Sequence, residues 1–185
     1  MKKFAMFSFA LLFALAVGQV QAQDTKGEPK KEIRKEKKME RVALRKLEGK
    51  TVSQISKNSF NADFGKIPDV KWERLETFDK ATFTKDGHEM SAYYDPDGKL
   101  VGTTSIKTED YLPAKGLKNL LKKYPGYTIG QILFFNDNEA NETDMMLYGI
   151  QFEDADNYFV ELSKGNKTIV VQVTAEGNIF FFKQL

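Results

Sequence analysis

His88 is the single histidine of this 185-residue chain, and there is no cysteine. Zinc needs three or four His, Cys or carboxylate ligands, and a Ser-His-Asp triad needs a histidine oriented by an acid. His88 follows Asp86-Gly87 at a hairpin and offers neither arrangement. Without cysteine there is no thiolate chemistry, no disulfide, and no cysteine-borne lipid anchor. No glycine-rich phosphate loop is present. Asp95-Pro96-Asp97-Gly98 opens like a calcium loop, but Ile106 stands where the bidentate glutamate is required, so a β-turn is the better reading. The run Asp137 to Asp144, with Glu139 and Glu142, offers oxygen ligands for weak calcium binding and reads more simply as a solvated loop. Carboxylates that could pair as acid and base of a hydrolase are plentiful, and nothing singles out one pair. The expectation is a non-enzyme with no cofactor and no metal site.

The residues that rise above this background are apolar. In the segments read below as strands, Tyr93, Val101, Phe159, Val170, Phe180 and Phe182 share one face by alternation. Antiparallel sheets often leave one face in water, and this one would be unusually aromatic. An exposed aromatic surface is a recognition site for a protein or peptide. The competing reading is burial, under the N-terminal helix or in a contact between two copies.

The elements that carry these residues come in two rounds. A shift of 79 lays Ala81–Leu100 over Val160–Ile179 without a gap: Met90, Ala92 and Tyr94 meet Ile169, Val171 and Val173, and Asp97-Gly98 meets Glu176-Gly177. Ahead of each round lies a helical pattern. Thr51 or Ser53 can cap a helix carrying Val52, Ile55, Phe60 and Phe64, which Gly65 and Pro68 end. Leu112-Pro113 opens a second helix with Leu117, Leu120, Leu121 and Tyr124 on one stripe, stopped by Pro125-Gly126. Strands are expected over 70–75, 78–84, 88–95, 100–106, 129–135, 146–152, 158–163, 168–174 and 178–183, with 136–144 as a long hairpin loop. Strands without intervening helices pair antiparallel. The fold class is α+β: two tandem helix-plus-four-strand repeats, 51–110 and 111–185, forming a continuous antiparallel sheet with both helices on one face. Ala81, Phe83, Met90, Ala92, Tyr94, Val160, Leu162, Ile169, Val171, Val173, Ile179 and Phe181 would lie under the helices.

Phe60-Asn61-Ala62-Asp63-Phe64, Val70-Lys71-Trp72-Glu73, Tyr94-Asp95-Pro96-Asp97-Gly98, Lys122-Lys123-Tyr124-Pro125-Gly126-Tyr127 and Val173-Thr174-Ala175-Glu176-Gly177 occur in this order. With it, residues 51–185 resemble the PepSY-like and β-lactamase-inhibitor-like (BLIP-like) proteins of bacterial envelopes. The resemblance implies tandem α+β units and binding rather than catalysis. The inhibitor relatives contain disulfides, which this chain lacks, and no matching inhibitory loop is seen, so inhibition itself is not carried over.

Residues 1–22 read as an export signal: Lys2-Lys3, the apolar run Phe4–Val17, and small residues at Val20-Gln21-Ala22 before cleavage at Gln23. The mature chain would have no transmembrane segment and would be periplasmic or secreted. Residues 24–50 hold 11 Lys or Arg against 6 Asp or Glu, and residues 51–185 hold 15 against 20. A basic extension, part disordered and part a thinly apolar helix, thus precedes an acidic body. Such a body is a poor nucleic-acid binder. The expected function is an exported non-enzymatic binding module for a protein or peptide. The alternatives are a self-associating structural envelope protein and, behind it, a carboxylate-based hydrolase.

Overall fold

The computed structural model describes Glu36, Met39, Glu40, Ala43 and residues 49–185. The four isolated positions have helical backbone; the expected export signal over 1–22 and the rest of the basic extension lie outside the described residues.

Ser53 caps helix α1 (Gln54–Phe64) by accepting the Ile55 N–H at 3.1 Å, which satisfies one of the donors that a helix start leaves unpaired. A second acceptor reaches the same helix end from the sheet. The buried Asp79 carboxylate takes Ser53 N–H at 3.1 Å and the Ser56 hydroxyl at 2.7 Å, and pairs with Arg74 Nε at 2.7 Å. Negative charge is favourable at a helix N-terminus, and the guanidinium supplies the counter-charge that burial demands. Gly65 ends the helix at φ 79°, donating to Asn61 O.

The sheet is built from β1 (Lys71–Arg74), β2 (Asp79–Lys85), β3 (His88–Tyr94), β4 (Leu100–Lys107), β5 (Thr128–Asp137), β8 (Asn157–Lys164), β9 (Lys167–Thr174) and β10 (Ile179–Gln184). They lie in that order, every neighbour antiparallel. Asp86 and Gly87 join β2 to β3 with φ of 51° and 78°, the two-residue turn whose twist suits a hairpin. Helix α2 (Ala114–Lys123) precedes β5.

Both helices cover one face of the sheet. Phe60 and Phe64 of α1 pack on Ala81, Phe83, Ala92 and Tyr94, with the Phe60 and Phe83 rings edge-on at 4.9 Å. Leu117 and Leu120 of α2 pack on Ile132, Val160, Leu162, Ile169, Val171 and Val173. The approach of α2 depends on two glycines. A Cβ on Gly116 would stand 2.6 Å from Val173 Cγ1, and one on Gly177, in the β9–β10 turn, 2.6 Å from Gly116 N.

Two expectations fail in the second round. The single strand expected over 146–152 is broken by a tight turn at Tyr148 and Gly149 (φ 51° and 76°), leaving two-residue strands β6 (Met146–Leu147) and β7 (Ile150–Gln151) paired only with each other. The far face of the sheet is covered as well. Phe78, Tyr93, Val101, Phe135, Phe159 and Val170 form a second core layer with Met145, Leu147 and Phe152. The cover is the chain's own 138–156 segment.

Candidate functional site

The covering segment is fastened by side chains that looked solvated in sequence. Asn138 and Asn141 donate to Leu100 O at 2.7 and 3.0 Å, and Asn141 Nδ2 also reaches Asp95 Oδ2 at 3.2 Å. Asp95 in turn accepts the N–H groups of Asp97 and Lys99, both at 2.9 Å, with its other oxygen. Both oxygens therefore serve the turn and the cover, and Asp95-Pro96-Asp97-Gly98 is a structural β-turn. The loop over 136–144 is docked rather than solvated: Asn141 and Thr143 are buried, as is Met145 just beyond it. At its far end Asp156 Oδ1 accepts Asp137 N–H at 2.8 Å and Asn136 Nδ2 at 3.2 Å. Lys183 of β10 donates to Tyr148 O, tying the hairpin tip to the last strand.

Of the six residues expected on an open aromatic face, Tyr93, Val101, Phe159 and Val170 are core, each at most 5 % exposed. Burial pushes the Tyr93 hydroxyl above its ordinary pKa, against its bond to Thr104 Oγ1. Phe182 is half-buried, its ring 4.7 Å from that of Phe159 and 6.1 Å from that of Phe152. Phe180 alone of the six stays open, at 53 %. Its neighbour Phe181, expected beneath the helices, is 58 % exposed. Phe181 pairs in regular register with Val171 of the helix-side core, beyond the cover of α2; the β-bulge follows it, between Phe181 and Lys183, and brings Lys183 opposite Val170.

A groove of about 780 Å³ opens beside these rings, between residues 150–156 of the cover and the β9–β10 end of the sheet. Phe152, Phe180 and Phe182 form its apolar part, and Phe181, on the other face of β10, lines its edge. Its polar part is one-signed: Asp137, Glu139, Glu153, Asp154, Asp156 and Glu176 line it, with no Lys or Arg among the described lining residues. Burial first, then the neighbouring Asp154, Asp156 and Glu139, push the Asp137 carboxyl up to about 6, against the hydrogen bond from the Asn138 backbone. Asp137 Oδ1 is buried without a hydrogen-bond partner. Glu176 is held low by its bond from Thr174 Oγ1 at 2.6 Å. Among the described residues no group of three or more His, Cys, Asp or Glu side chains is placed to hold a metal ion.

Sequence reasoning missed Phe181 and most of these carboxylates. Glu153-Asp154-Ala155-Asp156 is visible as an acidic run, but its nearness to Phe180 depends on how residues 138–156 fold back. His88, the other candidate for chemistry, is exposed at the start of β3.

No protein-family model and no curated protein matches the chain. Solved structures do. A DUF2874 family protein from Bacteroides uniformis superposes with a TM-score of 0.60 at 14 % identity, over 72 % of this chain and 90 % of that one. A candidate periplasmic protein from Bacteroides eggerthii gives 0.58 at 12 %, over 73 % and 88 %. A BLIP-like protein from Bacteroides fragilis gives 0.55 at 16 %, over 73 % and 87 %. At these identities the likeness is one of fold: this chain has a BLIP-like α+β fold. Among the described residues no helix is long and apolar enough to cross a membrane.

Proposed function

We propose that this chain is an exported, non-enzymatic binding module that recognises a protein or peptide at the β10 end of its sheet. The observation that carries this reading is the exposure of Phe180 and Phe181, at 53 % and 58 %, on the outermost strand beside a groove of about 780 Å³. Exposed large rings next to a concavity are the usual anchors of recognition. The face expected from sequence shrinks to this end, where Phe182 provides the floor. The sequence signal over 1–22 and the candidate periplasmic name of the Bacteroides eggerthii protein support a periplasmic or secreted location.

In the same reading, 51–110 and 111–185 are tandem copies of one PepSY-like unit. An equivalent contact in each half supports this: Gly98 lies against Ile55 of α1, as Gly177 lies against Lys115 and Gly116 of α2. The half-equivalent turns carry Asp97-Gly98 and Glu176-Gly177, the pair that the 79-residue shift aligns.

The test uses the mature chain from Gln23 and its Phe180→Ser/Phe181→Ser variant, each immobilised and exposed to envelope extract. The expected result is a set of proteins retained by the wild type and lost from the variant, with the two melting curves superimposed. Retention of the same set by both would place recognition elsewhere. The second reading, self-association, draws on the same outer strand, and light scattering separates it. A dimer that becomes a monomer on Phe180→Ser would favour a structural envelope role.

A further inference from the structure

β10 hydrogen-bonds to β9 on one side, and among the described residues no strand pairs with its other side. Such an edge presents free N–H and C=O groups, and natural proteins usually guard it with lysine, proline or a bulge. Here the bulge and Lys183 guard only the last residues, leaving Ile179-Phe180-Phe181 open. A strand laid against this stretch would place alternate side chains on the two faces of the sheet. Those beside Phe180 would enter the groove, and those beside Phe181 would lie on the helix side.

The character of the groove selects the occupant. Six carboxylates and no described basic residue line it, and Asp137, part-buried among its acidic neighbours, has a buried oxygen without a hydrogen-bond partner. Ammonium or guanidinium groups would relieve this crowding and could stack on the Phe180 ring. An anionic or purely apolar segment would do neither. We propose that β10 is extended by a ninth strand from another polypeptide, an extended segment alternating Lys or Arg with apolar residues, its cationic side chains in the groove. This rests on the reading of the β10 end as the recognition surface, and adds the chemistry and backbone form of the partner.

Fluorescence anisotropy on the mature chain, with three labelled octapeptides, tests it. One alternates Lys and Val, one alternates Glu and Val, and the third is the Lys/Val peptide N-methylated on alternate amides. The Lys/Val peptide is expected to bind, more weakly at raised salt, and each of the others about tenfold or more weakly. Glu153→Gln with Asp154→Asn should weaken it by about tenfold without moving the melting curve. Equal binding of the Glu/Val peptide overturns the cationic assignment and leaves β10 recognition standing. Equal binding of the N-methylated peptide overturns strand addition. No binding of any of the three at millimolar concentration overturns the proposal, whereas β10 recognition is judged by the envelope capture. A doubled mass without peptide, abolished by Phe180→Ser, would make a second copy the occupant and overturn it as well.

Discussion

Asp137 shows what burial, and then the field of an acidic groove, do to a single side chain. Its folded pKa of about 6 lies above the ordinary 3.8. Between those two values the native protein holds a proton that the unfolded chain has released. The unfolded state therefore binds fewer protons, and stability falls as pH rises through this window. Asp137→Asn should flatten that fall and raise the melting temperature at pH 7. Melting curves for both proteins across the window are the measurement, and parallel profiles would show that Asp137 is not the source. The buried Asp79 carboxylate is instead surrounded by donors: Arg74, Ser53 N–H and the Ser56 hydroxyl. The same functional group is a clamp where its neighbours donate and a crowded charge where they do not.

At the scale of elements, the segment over 138–156 turns a sheet with one open face into a three-layer body. Phe152, the ring at its centre, packs edge-on against Phe135 and Phe159 at 5.2 and 4.8 Å. Phe152→Ala, and Tyr93→Ala beneath the same cover, should each cost ~3–5 kcal/mol, as much as Phe83→Ala under α1. Chemical denaturation of the three variants checks this, and a loss at Phe83 alone would mean that the cover is not bound. Sequence made the strands and helices legible because each carries a period or a punctuating residue. Asp86-Gly87 announces its hairpin, and Ser53 and Gly65 bracket α1. Alternation also sorted the faces: Ala81 and Phe83 lie under helix, Tyr93 and Phe159 opposite. What alternation cannot say is what lies against a face. Met145, Leu147 and Phe152 sit in a hairpin of two-residue strands, too short for a period of two to register. Asn138 and Asn141 have the same appearance in sequence whether they face water or hold Leu100 O. The open-face residues were misjudged for that reason, and so was Phe181: alternation sets it opposite Val171 but does not say how far α2 reaches over it.

At the scale of the molecule, both core layers and the groove are built from residues after Val52, while the basic extension contributes none of their described residues. Removing residues 23–49 should leave the melting temperature nearly unchanged, and a truncated body that is unfolded by circular dichroism would show that the extension belongs to the core. The strictly sequential order of the sheet bears on how the chain reaches this state. Each strand finds its partner next to it in sequence, apart from two longer connections: β4 to β5, which carries α2, and β5 to β8, which carries the cover. Folding rates of β-rich proteins are limited by pairings between distant parts of the chain, and here most pairings ask only for a hairpin to close. These two steps are different, because each must close a connection of about twenty residues, a cost that grows only with the logarithm of its length. Lengthening the cover between Glu142 and Asp144 with a flexible insert would therefore slow refolding only slightly, whereas breaking the β5–β8 register would stall the chain as two halves, each with its own helix.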